Sequence, residues 1–335
     1  MNIGSRLETK MDALRQSARD RFREESFAKG PLQYDIVTIS SDKEATSPLT
    51  TDGATIDRIE RLSKAMQPTS LLLVKILFDL PLDRHIFHTS ESHFLRLLNA
   101  FEIDSYWLDM IANDMTGFHH LGRNSETSSY YLQCAAYKFI WAYDSKHKCT
   151  KAIALINNTR KSRNALDECI PIMHANIKFL SHPLFLLVSG AIQTVRFMDG
   201  MLREQYVQCK TSEAATGFRT LPVGVVTREN VLELSGMAQR VGTLLIKIEM
   251  IIRRVKQWQL AMDTFKRFHD EQCGKGLIGQ QKTSGQDSSL LTAVEVMQSK
   301  FKVMEIDFNY IRARADNQRT AVSSQLFRLL WRVTF

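Results

Sequence analysis

Apolar residues recur at alternating steps of four and three through the second half of the chain, the heptad spacing of helices that pack along a shared seam. The pattern begins after Pro183 and is longest in the ranges 237–265 and 290–315. Further apolar residues beside the seam, such as Leu234 and Leu245, widen the stripe and predict a bundle of three or more helices. The seam residues are Leu184, Val188, Ala191, Val195, Met198 and Leu202, then Met237, Val241, Leu244, Ile248, Ile251, Val255, Trp258, Met262 and Phe265, then Leu290, Val294, Met297, Phe301, Met304, Phe308, Ile311 and Ala315.

The length of these segments limits how the helices can be arranged. A helix over residues 227–269 is about 65 Å long at ~1.5 Å per residue. A compact chain of 335 residues has a radius of gyration of roughly 20 Å. Two such helices do not fit inside a sphere of that size, so we expect an antiparallel stalk joined by the loop 270–287. Where the two seams pack on each other, we expect Trp258 and Phe301 to be buried.

The first half of the chain has a mixed pattern of strands and helices. The predicted fold class is therefore α+β: a small mixed α/β head domain followed by a long antiparallel three-helix stalk, mostly helical overall. The predicted domains are a variable N-terminal segment over 1–67, the head over 68–165 and the long-helix bundle over 166–335. Within the first half we predict strands at 34–39 and 70–80, a polar loop at 40–53, helices at 56–66 and 90–113, and β segments at 128–143 and 150–157.

The charge and the cysteines of the chain indicate which partners and which cellular compartment suit it. The net charge is +8, and the excess of Lys and Arg lies mainly in residues 227–269 and 288–332. Such helices attract phosphate, anionic lipid or an acidic protein surface, although cations also simply solvate long helices. Five scattered cysteines without a Cys-x-x-Cys pair suit a reducing compartment. The apolar run 71–82 is shorter than a membrane span and contains Lys75 and Asp79, so we expect no transmembrane helix and a cytoplasmic location.

No pattern in the sequence indicates catalysis. The stretch 274–279 matches Gly-x-Gly-x-x-Gly, but a predicted helix precedes it where a phosphate-binding loop needs a strand. The neighbours His119 and His120 have no Cys or carboxylate at a spacing suited to a metal site. We therefore predict no enzymatic activity, no catalytic residue, no cofactor, no metal site and no nucleic-acid partner. A helical enzyme without a recognisable motif stays open as an alternative.

The order of several segments resembles a known family. The run SLLLVKILFDLP (70–81) leads into FLRLLNAFEIDSYWLDMI (94–111), which resembles a strand and helix of fungal CorA-like proteins, relatives of the CorA magnesium transporters. His182-Pro183-Leu184 resembles a frequent helix start of that family, and residues 306–330 are similar to its long final helix. The resemblance implies a cytosolic α/β domain with a stalk.

The chain departs from the family at the pore. Family channels continue the last helix into a membrane span that ends in Gly-Met-Asn, and this sequence has no Gly-Met-Asn. The resemblance therefore implies a poreless, non-enzymatic CorA-like protein that acts as a regulatory or protein-interaction module. The alternative is a truncated or accessory subunit of a CorA-like divalent-cation transporter at a membrane. The implied partners are a second copy of the chain or a membrane-bound CorA-like protein, and no metal-site residue is carried over.

The end of the last helix is the candidate interaction surface. Apolar side chains stand beside two arginines there, an arrangement suited to self-association or to contact with an anionic membrane surface. The heptad seam is expected to break down after Ala315, and the alternative is that this tail folds back onto the head. The surface comprises Leu326, Phe327, Arg328, Leu330, Trp331 and Arg332.

Overall fold

The chain folds into one mixed sheet and a set of short and long helices. The computed structural model describes residues 12–13, 16, 27, 33–41, 49–80, 85–122, 127–134, 136–216, 228–274 and 285–334. The strands are β1 (Tyr34–Ser40), β2 (Leu49–Ala54), β3 (Ser70–Asp79), β4 (Ile86–Phe87), β5 (Phe118–Gly122), β6 (Thr127–Gln133), β7 (Tyr137–Asp144) and β8 (Cys149–Asn157). The helices are α1 (Ile56–Lys64), α2 (Glu91–Ala100), α3 (Trp107–Ala112), α4 (Arg160–Ala175), α5 (Phe185–Thr216), α6 (Arg228–Gly274) and α7 (Gly285–Thr334).

The described strands form a single sheet in the order β2-β1-β3-β8-β7-β6-β5, with β4 paired to β3. The pair β3 and β8 is parallel, whereas the other pairs are antiparallel. Leu73 of β3 lies opposite Ala152 of β8, and Phe78 lies opposite Asn157. The carboxyl ends of these two strands therefore meet at the same edge of the sheet.

Helices cover both faces of the sheet. On one face α1, α2 and α3 bury their apolar sides in a core with Val74 and Ile76 of β3. Successive strand residues point to opposite faces, so Lys75 faces the other side, where its ammonium contacts Asp167 of α4. On the side opposite the buried Ile140, the indole of Trp141 donates a hydrogen bond to the carbonyl oxygen of Pro183, just before α5.

The long helices confirm the heptad prediction. Helices α6 and α7 contain 47 and 50 residues. Glu249 of α6 accepts from Arg312 of α7, whereas Trp258, further along α6, stacks on Phe301, which comes earlier in α7. Residue numbers thus rise along one helix as they fall along the other. The two helices are therefore antiparallel. Trp258 and Phe301 are both buried, as predicted.

By compactness the chain divides into two units. The first comprises residues 1–194 and 261–294, and the second comprises 195–260 and 295–335. The α+β fold class, with a sheet domain and long C-terminal helices, is confirmed. The domain boundaries at 67 and 165 stay a prediction, and we note that β1 and β2 belong to the same sheet as β3.

Two local predictions in the sheet region were wrong in detail. The predicted polar loop 40–53 contains β2, whose residues pair with β1, while 42–48 lie outside the described residues. The predicted helix 90–113 is two helices, because the chain turns after Ala100 and Glu102 adopts a left-handed φ of 58°. The predicted β segment 128–143 is confirmed as β structure, in the form of a hairpin of β6 and β7.

Candidate interaction surface

The structure places the six predicted surface residues in the last turns of α7. Phe327 and Trp331 are 66% and 57% exposed, and their rings lie 6.2 Å apart, one helical turn from each other. Leu330 is 48% exposed, and Arg328 is exposed as well. Arg332 belongs to the helix, but its side chain lies outside the described part of the chain. Apolar rings and an exposed cation thus share the end of α7.

Leu326 differs from its neighbours because it faces the helix bundle. It packs with Val322 against Leu234 at the start of α6, in a small cluster with Met237 and Ala238. Val322 is fully buried and Gln318 is 6% exposed. The heptad seam therefore continues past Ala315, and the expectation that it breaks down there was wrong. The tail is held to the bundle on one side and exposed on the other.

A second apolar series runs along the opposite side of α7. Each member lies two residues after a seam residue, which places it about 200° around the helix from the seam. The members Val296, Val303, Ile306 and Tyr310 are all exposed. The same spacing continues through Ala313, Asn317 and Ser324, which are also exposed, to Phe327 and Trp331. We call Val296, Val303, Ile306, Tyr310, Phe327 and Trp331 the outer stripe.

The outer stripe was not predicted from the sequence, although the spacing of its residues is visible there. Its steps of seven, three and four residues between Val296 and Tyr310 are those of the buried seam. Small and polar residues between Tyr310 and Phe327 interrupt the apolar pattern, so that only the two ends read as hydrophobic. The sequence therefore indicated only the candidate surface at the end of α7, and not the part of the stripe that precedes it.

Ion pairs connect α7, which carries the stripe, to α5 and α6. In the second unit, Arg314 Nε donates to Glu213 Oε1 of α5 at 2.7 Å, and this hydrogen bond lowers the pKa of the Glu213 carboxyl. The guanidinium of Arg314 also lies over the rings of Tyr206 and Tyr310. Arg312 pairs with Glu249 of α6 at 2.8 Å. Tyr310 is thus fixed on the outer face by a neighbouring cation that is itself anchored.

Among the described residues, no group of three or more His, Cys, Asp or Glu side chains is arranged to hold a metal ion. One described helix, over Phe185–Ala214, is long and apolar enough to cross a membrane by length and composition. From the sequence we expected no transmembrane helix. In this structure 61% of its most apolar window is buried inside the protein, and core helices pass the same test.

The fold of this chain is similar to those of solved protein structures. No protein-family model and no curated protein matches the sequence. The cytoplasmic domain of ZntB from Vibrio parahaemolyticus RIMD 2210633 is similar with a TM-score of 0.48 and 9% identity, over 88% of this chain and 98% of that one. The soluble domain of CorA from Methanocaldococcus jannaschii is similar with a TM-score of 0.42 and 10% identity, over 86% of this chain and 94% of that one.

Proposed function

We propose that this chain is a non-enzymatic, CorA-like interaction module that assembles with further copies of itself through the outer stripe of α7. The observation that carries the proposal is the exposure of a heptad-spaced apolar series on a helix whose other side is already packed. Ile306 at 67% exposed and Val303 at 52% exposed are its most apolar central members. Exposed apolar residues that share one side of a helix on a charged protein are typical of an association surface.

The geometry of the stripe favours a second helix of the same kind as its partner. The residues from Val296 to Trp331 extend over about 50 Å of helix at ~1.5 Å per residue. Heptad spacing suits a partner that repeats at the same interval, and another copy of α7 satisfies this along the whole length. The small residues Ala313 and Ser324 allow two helix backbones to approach closely at the middle of the stripe. A cytoplasmic location is part of the same proposal.

Analytical ultracentrifugation over a range of protein concentrations tests this proposal. Ile306→Glu places a charge in the middle of the stripe and should shift the protein toward the monomer by at least about tenfold in dissociation constant, since an unpaired buried charge is costly. Ile246→Glu is the matched control, because Ile246 is 65% exposed on α6. A monomer at all concentrations, or equal effects of both variants, would contradict the proposal.

A second candidate function is that of an accessory subunit of a CorA-like divalent-cation transporter at a membrane. The pairing of the exposed Phe327 and Trp331 rings beside Arg328 favours it, since aromatic rings with a nearby cation suit the interface of an anionic bilayer. Co-sedimentation with phosphatidylserine-containing vesicles tests it. Trp331→Ser should reduce binding several-fold and Ile246→Ser should not. Absence of binding by the unsubstituted protein rejects this candidate.

A further inference from the structure

A cavity of about 230 Å³ lies at the carboxyl ends of the parallel strands β3 and β8, within the first unit. In open α/β sheets, ligands commonly bind in the crevice outside the carboxyl ends of parallel strands. The apolar part of its wall includes Leu77 and Ile156, which lie opposite each other in the sheet. The lining residues are Gln33, Tyr34, Asp35, Lys75, Ile76, Leu77, His88, Ile156, Arg163 and Asp167.

Two side chains of the cavity wall pair with carboxylates, and in each pair the nitrogen-bearing side chain is less exposed than the carboxylate. The ammonium of Lys75 lies 3.2 Å from Asp167, and the side chains are 13% and 62% exposed. The imidazole of His88 lies 2.7 Å from Asp79, and those side chains are 29% and 49% exposed. Water screens the outer carboxylates more than the inner basic groups. The interior of the cavity therefore favours a negative charge.

Local structure positions the third basic group. The backbone N–H of Asn158 donates to the carbonyl oxygen of Phe78, which fixes the turn after β8. The guanidinium of Arg163, in the first turns of α4, donates to the side-chain oxygen of Asn158. Hydrogen bonds from His88 and then Asn158 lower the pKa of Asp79, so that Asp79 stays ionised and orients His88. One network thus connects the two strand ends and α4.

We propose that this cavity binds a small molecule through a carboxylate or phosphate group held between Lys75 and Arg163. His88 completes the polar wall, and Leu77 and Ile156 contact the less polar part of the ligand. An ammonium and a guanidinium both donate charge-assisted hydrogen bonds to an oxyanion. The carboxylates of Asp35 and Asp167 in the lining, and that of Asp79 paired with His88, repel further negative charge. The site therefore selects a ligand with one compact anionic group over a polyanion.

Isothermal titration calorimetry on the full chain with inorganic phosphate and with benzoate, at constant ionic strength, tests this assignment. We expect saturable one-site binding of at least one of the two probes. Lys75→Met and Arg163→Gln should each weaken it by about tenfold or more, because each removes hydrogen bonds to a charged group. Arg160→Gln is the control, since Arg160 is exposed in the same helical turn and does not line the cavity. It should change affinity by less than about twofold.

A second measurement keeps the test valid if a variant does not fold. The His88 ring resonances of the unsubstituted protein should shift on addition of the bound probe, with the midpoint that calorimetry gives. Binding of phosphate alone identifies a phosphate ligand, and binding of benzoate alone identifies an organic carboxylate. Absence of saturable binding by both probes, an unmoved His88 ring, or an equal loss in Arg160→Gln overturns the proposal. None of these readouts depends on self-association through the outer stripe.

Discussion

The indole of Trp258 stacks on the phenyl ring of Phe301, with ring centroids 5.7 Å apart and ring planes 13° apart. The two side chains come from α6 and α7, and both are almost completely buried. Two large rings that fill one layer of the bundle allow little sliding of one helix along the other, because closely packed interiors tolerate few voids. The pair therefore fixes the register in which Gln259 reaches Glu305 at 2.9 Å.

Truncation of this pair should destabilise the protein strongly. Phe301→Ala is expected to lower the free energy of unfolding by about 3–5 kcal/mol, since it removes buried apolar contacts and leaves a cavity. Ile246→Ala changes an exposed side chain on α6 and should stay within about 0.5 kcal/mol. Urea denaturation followed by tryptophan fluorescence measures both. A loss below 1 kcal/mol for Phe301→Ala would contradict the packing described.

The sequence predicts the long helices well and the sheet region less well, for a physical reason. A heptad seam repeats in every turn of a helix and so indicates which side is buried. Trp258 and Phe301 could therefore be identified as buried residues from the sequence. The helix ends at Ala100 because Glu102 adopts a left-handed backbone conformation. Glutamate seldom adopts that conformation, so its presence in the sequence does not predict it. The cavity depends on pairing between β3 and β8, which are about 80 residues apart in the sequence, and no local pattern records such a pairing.

Acid should weaken the fold through His182. Burial lowers the pKa of His182 to about 3, and the neighbouring His269 makes a smaller contribution in the same direction. The His182 ring stacks on Phe265, and its Nδ1 accepts a hydrogen bond from the Leu184 N–H. The folded state holds this histidine neutral, whereas the unfolded chain protonates it near pH 6.5. Its contribution to stability is therefore complete above pH 6.5 and is lost as the pH falls toward 3.

The expected slope can be measured by urea denaturation between pH 7 and pH 4. Below pH 6.5, each histidine that the fold keeps neutral lowers the free energy of unfolding by up to about 1.4 kcal/mol for every unit by which the pH falls. His85, whose pKa burial and the nearby Lys138 lower to about 4, acts in the same direction. His182→Asn removes one of these titrations and should reduce the slope, most clearly between pH 6.5 and pH 5, where carboxylates contribute little. An unchanged slope in that variant would show that His182 is protonated in the folded protein.

The ion pair between the buried Lys138 and the exposed Asp114 should respond asymmetrically to substitution. The Lys138 ammonium is 4% exposed and lies 2.6 Å from the Asp114 carboxylate, and His85 Nε2 is 3.0 Å from the ammonium. Burial lowers the pKa of Lys138, and the bond to Asp114 opposes that effect. Asp114→Asn leaves the ammonium without its counter-charge and should cost about 1–3 kcal/mol, whereas Lys138→Met should cost less because it removes the buried charge.

The choice of asparagine isolates the charge in this comparison. Asp114 has a φ of 48°, in the left-handed region that Asp and Asn both tolerate, so Asp114→Asn does not add backbone strain. Thermal and urea denaturation at pH 7 give the order of the two variants. If Lys138→Met is the more destabilising of the two, the ion pair contributes net stability and the predicted order is wrong.

Gln318 offers a test of a polar position inside the helix bundle. Its Nε2 donates to the Cys209 carbonyl oxygen of α5 at 3.1 Å, but its Oε1 is buried and accepts no hydrogen bond from any described residue. Gln318→Leu removes that unsatisfied acceptor and extends the apolar seam, so the free energy of unfolding should rise by about 1 kcal/mol. The same change removes a polar contact that specifies how α5 meets α7, as a single polar residue does in coiled coils. We therefore expect broader amide resonances in α5 despite the higher stability. A fall in stability of more than 1 kcal/mol would mean that the Gln318 oxygen has a bound water as its donor.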